Sequence, residues 1–171
     1  MLLGVFVAAA LGVSGAGNSA NPLVLAEGGK LQCYRPDVQK KTCQAIAAYR
    51  RTGPGTYDNT ALIAVGADAT LETHAPVAIK GSAVCGFVRG QDVIAGTLRV
   101  GGQVLDPEKA KPILERIAQA MAPMADKEIC TTYQPAGADF TAKISIGGSY
   151  RSDQDESVKW ISPADGYTVT P

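Results

Sequence analysis

Four cysteines, Cys33, Cys43, Cys85 and Cys130, all lie downstream of an uncharged apolar N-terminal run, and no other feature constrains this chain as much. The run MLLGVFVAAALGVSGAG is rich in small side chains and shorter than the roughly 20 residues that span a bilayer. It reads as the core of a secretory signal peptide over 1–20, although no Lys or Arg precedes it. The expected location is the periplasm or the cell exterior, with no stable membrane span once the leader is cut. In an oxidising compartment an even number of cysteines pairs. Of the three pairings, Cys33–Cys43 and Cys85–Cys130 are favoured, because the first two are close in sequence and the second pair would tie a strand to the end of a helix. Chain entropy assigns the short loop about 2.7 kcal/mol and the long one about 4 kcal/mol. Zinc ligation is disfavoured, since no cysteines are closely spaced and His74 is the only histidine. No metal or cofactor is expected.

The helix in question is the stretch Asp106 to Cys130, DPEKAKPILERIAQAMAPMADKEIC. Asp106 is a capping residue, Pro107 suits the first helical position and Glu108 complements the positive end. Ile113, Ile117, Ala120, Met121 and Met124 recur at three- and four-residue steps and predict an apolar stripe. Burying Ile113, Ile117 and Met121 would contribute roughly 1.5–3 kcal/mol each. Pro123 should kink or end the helix.

The remainder reads as strands and turns. Residues 21–30, rich in Gly, Asn and Pro, are expected to be a flexible linker. CQAIAAYRR and ALIAV flank the turn cluster TGPGTYDN and predict a hairpin. TLETHAPVAIK is interrupted by Pro76 and reads as an edge strand or two short ones. TLRV-GG-QVL and FTAKISI-GG-SYR carry Gly pairs able to take the positive φ of a two-residue turn. The sum predicts a single α+β domain over 31–171. It would have an antiparallel β-sheet of five to seven short strands, one long helix packed on one face, and two disulfides.

Lys plus Arg and Asp plus Glu number 16 each, and with no long block of one charge sign a nucleic-acid partner is disfavoured. No phosphate loop, dinucleotide fingerprint or nucleophile elbow occurs, so no catalytic residue is named. A carboxylate-dependent hydrolase would have to assemble two of Asp92, Asp139, Asp153, Asp155 or Asp165 in a cleft. Tyr150, Trp160 and Tyr167 form a candidate binding face, because rings offer contact area at little entropic cost. Arg35, Lys40 and Lys41, within the Cys33–Cys43 loop, form a candidate partner loop for a protein inhibitor. These observations imply an exported domain with a non-catalytic binding or structural role toward a protein or glycan of the cell envelope.

Overall fold

The computed structural model describes residues 21–170, so the signal-peptide reading of 1–20 falls outside the described residues. The fold is a closed barrel of eight antiparallel strands, with short additional strands outside the ring. We number the barrel strands β1 (Leu31–Tyr34), β2 (Ala45–Gly53), β3 (Thr56–Ala64), β4 (Ala69–Lys80), β5 (Ala83–Phe87), β6 (Glu128–Ala136), β7 (Asp139–Ile146) and β8 (Glu156–Ile161). Each pairs with the next in the chain, and β8 returns to β1 with Leu31 opposite Ile161 and Tyr34 opposite Val158. This up-and-down order follows from tight turns: Gly55, Gly81 and Gly137 each take positive φ where one strand reverses into the next.

Closure overturns the expectation of an α+β sheet covered by a helix. A half-apolar sheet must bury one face, and a sheet curled on itself does so without a helical layer. Alternation assigns Gln32, Ala47, Tyr57, Leu71, Val84, Ala142 and Val158 to the inner face, and all are buried. The outer face carries Arg50 with Asp58, Lys80 with Glu128, Arg99 with Glu72, Lys143 with Asp155 and Lys159 with Asp139 as ion pairs. A membrane barrel needs an apolar outer band, so this charged wall is built for water. Among the described residues no helix is long and apolar enough to cross a membrane.

The stretch 21–30, expected to be a loose linker, is built into the core. It forms helix α1 (Val24–Glu27), and Leu23 and Ala26 pack against Tyr57 and Val84 at one end of the barrel. Tyr49, Val77, Ile79, Tyr133 and Trp160 complete that cluster. A latch of hydrogen bonds holds the plug: Asn21 Nδ2 donates to the Tyr57 hydroxyl at 3.0 Å, which donates to Glu27 Oε1 at 2.6 Å.

Residues 88–127, between β5 and β6, form an insert with helices α2 (Gly90–Ile94) and α3 (Pro107–Ala120) and the hairpin Thr97–Val100/Gln103–Val104. Asp106 caps α3 through its bond from the Glu108 amide, as expected. The helix stops at Ala120, and Pro123 lies in a following 3-10 turn, Ala122–Met124. Cys130 is therefore on β6, directly opposite Cys85 on β5, so the disulfide joins neighbouring strands and not a strand to a helix. The buried positions of α3 are Ala110 and Leu114, with Ile117, Ala118 and Met121 alongside, while Ile113 is 41% exposed. Two overlapping apolar series ran along this helix, and the one facing Leu71, Val93 and Leu98 prevailed.

Pro76 sits inside the twelve-residue strand β4, which is neither an edge nor broken. On one side β4 pairs continuously with β3. On the other, residues 77–80 pair with β5 and residues 69–72 with the hairpin strand Thr97–Val100. Pro76 thus lies in the gap between two partners, where a missing amide costs least. Both expected disulfides are present, Cys33–Cys43 and Cys85–Cys130, with Cα separations of 5.4 and 4.1 Å. Structural disulfides of this kind belong to an oxidising compartment.

Candidate binding site at the barrel mouth

The end of the barrel opposite α1 is hollow. Register places Ala45 opposite Ile63, Ala47 opposite Ala61 and Tyr49 opposite Asn59, all on the inner face. Three alanines in this patch leave the wall thin where larger side chains would meet across the barrel. A cavity of about 390 Å³ results, lined by these six residues and Tyr34, with Arg35, Gln44 and Glu156 around it. Arg35 Nε and Glu156 Oε1, 3.1 Å apart, form a salt bridge at this opening.

Beneath the cavity is a polar cluster. Gln32 is fully buried, and its Oε1 accepts from the hydroxyls of Tyr34 at 3.0 Å, Tyr49 at 2.9 Å and Tyr133 at 3.2 Å. Tyr34 and Tyr133 also share a 3.0 Å contact. Burial, reinforced by the neighbouring hydroxyls, pushes the pKa values of Tyr34 and Tyr49 well above the ordinary tyrosine range. The phenols therefore stay neutral. Gln32 Nε2 has no protein hydrogen-bond partner.

A second hollow, about 280 Å³, lies at the seam where β4 changes partners and the insert packs against the barrel. Its wall is apolar: Ile63, Val65, Leu71, Thr73 and Ala75 from the strands, Phe87 and Val88 from the end of β5, and Val93, Ile117 and Met121 from the insert. Arg89 and Asp92 are the charged groups on it. Ile63 borders both hollows.

The residues singled out from sequence scatter over this frame. Trp160 packs with the plug cluster, Tyr167 packs with the Cys33–Cys43 cluster, and Tyr150 is exposed on the outside, bonded to Lys143 and Asp155. The structure does not bring these three rings onto one surface. In the disulfide loop, Arg35 is engaged by Glu156, Lys40 pairs with Asp37, and Lys41 Nζ donates to the Asp165 carbonyl at 3.0 Å.

The carboxylates do not converge either. Asp139 pairs with Lys159, Asp153 with Arg151 and Asp155 with Lys143, while Asp165 accepts from the Ser162 amide. The Arg151 guanidinium holds Asp153 down at about 2, and Lys143 lowers Asp155, the reverse of what a general acid needs. Asp92 alone lines a hollow. His74 lies on the outer wall beside Thr60 at 3.0 Å and Glu72 at 3.5 Å, but its side chain is 64% exposed on a convex surface. The one grouping of metal-ligand types among the described residues, Cys85, Glu128 and Cys130, has its sulfurs bonded to each other and its carboxylate paired with Lys80.

Sequence reading missed Gln32 and Tyr133 altogether. The available signal was alternation, which puts Gln32 with Tyr34 on one face and Ala45, Ala47 and Tyr49 on the facing strand.

By fold and site this is a small up-and-down β-barrel, plugged at one end and hollow at the other, of the size that encloses one small molecule. Comparison with protein families, curated proteins and solved structures returns no match.

Proposed function

We propose that this chain is an exported, periplasmic or secreted, binding domain that takes one small and largely apolar molecule into the barrel mouth, without catalysis. The observation that carries the reading is the alanine wall of Ala45, Ala47 and Ala61, which keeps about 390 Å³ open beside a fully packed opposite end. Hollows of roughly 300–1,000 Å³, mostly apolar with a few fixed polar groups, are the usual form of small-molecule sites. The tyrosine and glutamine cluster rigidifies the floor, because three hydroxyls converge on Gln32 Oε1. Tyr150 and the loop residues Arg35, Lys40 and Lys41 are tied into local pairs, whereas the mouth is preformed and accessible.

The test is calorimetric titration of the full chain with 1-octanol, a neutral apolar probe, against an Ile63→Trp variant that puts a bulky indole on the wall common to both hollows. Saturable binding of one equivalent by the parent chain, weakened at least tenfold in the variant at unchanged thermal midpoint, supports the reading. No binding by the parent, or equal binding by both proteins, removes it.

A further inference from the structure

We propose that the seam hollow selects apolar molecules bearing a protonated amine, held by Asp92; this rests on the binding reading of the mouth. Asp92 Oδ2 is withdrawn from solvent and has no hydrogen-bond partner in the protein. A carboxylate oxygen in that position is costly, since burial removes its hydration and nothing replaces it. The four other acidic residues singled out from sequence all found partners: Lys159, Arg151, Lys143 and the Ser162 amide. Asp155 Oδ1 is unpartnered too, but Lys143 and Tyr150 hold that carboxylate through Oδ2, whereas no ion pair holds Asp92, which lines a hollow.

Its surroundings define what would satisfy it. Leu71, Ala75, Phe87, Val93, Ile117 and Met121 offer aliphatic and aromatic contact, and the Thr73 hydroxyl, also on this wall, makes no hydrogen bond to Asp92 Oδ2. Arg89 also borders the hollow, yet it makes no ion pair with Asp92. An occupant that carries a donor would satisfy this oxygen. An ammonium meets both requirements: it donates to Oδ2 and neutralises the charge, while its alkyl or aryl body covers the apolar wall. A carboxylate at the same end would meet Asp92 as a like charge and leave the oxygen unsatisfied.

The experiment compares three probes of equal chain length, n-octylammonium, 1-octanol and octanoate, by calorimetry on the parent chain and on Asp92→Asn. Octylammonium is expected to bind at least tenfold more tightly than octanol, and octanoate more weakly than either. In Asp92→Asn the ammonium advantage over octanol is expected to fall to within about twofold. Octanol binding with no ammonium preference, or a preference that survives Asp92→Asn, overturns the assignment of Asp92 and leaves the binding reading in place. Failure of all three probes overturns both. Tighter binding of octanoate reverses the assignment in favour of Arg89.

Discussion

Truncating Leu23 to alanine tests whether the segment before β1 is structural. Leu23 is 0% exposed and touches the inner face of the barrel through Tyr57 and Val84. The substitution removes three carbons from the core, about 2.4 kcal/mol at about 0.8 kcal/mol each. The surrounding wall is fixed by its hydrogen-bond ladders and cannot collapse inward. A residual void of about 60 Å³ therefore adds about 1.4 kcal/mol, for a total near 4 kcal/mol. For a domain of this length that corresponds to a fall in thermal midpoint of roughly 8–16 °C. Val24, one residue on, is 57% exposed, and Val24→Ala should stay within about 0.5 kcal/mol of the parent. Urea unfolding of both variants, followed by near-ultraviolet circular dichroism, gives the comparison. Equal stability of Leu23→Ala and Val24→Ala would refute the plug and restore the linker.

The disulfides should differ in weight. Closing 45 residues in Cys85–Cys130 restrains the unfolded chain by about 4 kcal/mol, against about 2.7 kcal/mol for the 10 residues of Cys33–Cys43. Paired Cys→Ala variants should therefore lose stability in that order in urea, and the opposite order contradicts the chain-entropy account. Alkaline pH supplies a further check. Tyr34 and Tyr49 are raised in the folded state, so above about 10 the unfolded chain gives up protons that the folded barrel keeps. The unfolded state then binds fewer protons, and stability falls as pH rises from that point toward the folded values. Tyrosinate absorbance should show Tyr34 and Tyr49 ionising only as the barrel unfolds. Reversible ionisation of all six tyrosines below the unfolding pH would contradict the buried cluster.

Local chemistry was readable in the residues, and closure was not. Asp106 and Pro107 announced the start of α3, the Gly101–Gly102 pair announced its hairpin, and the cysteine spacing announced both bridges. Barrel closure rests on β8 meeting β1, a pairing between residues more than a hundred positions apart that no local pattern encodes. The inner wall also blurred the alternation, because Ala45, Ala47, Ala61, Thr73 and Ala75 are inward yet weakly hydrophobic. Those small residues are the ones that make the hollow, so the feature that hid the strands is the feature that forms the site. Tyr34, Tyr49 and Tyr57 were visible as a cluster, but their separation into a polar floor and a plug contact depends on which end of the barrel each faces. Asp92 was visible only as one acidic residue among five.

Chemical-shift mapping with 1-octanol on isotope-labelled protein probes the hollow at the mouth of the closed barrel. Saturable shifts concentrated on Ala45, Ala47, Ala61, Ile63, Thr73 and Ala75, with Leu23 and Ala26 at the plugged end unmoved, are the predicted result. Shifts on the outer-wall residues Thr60, Glu72 and His74, or none that saturate, would contradict it.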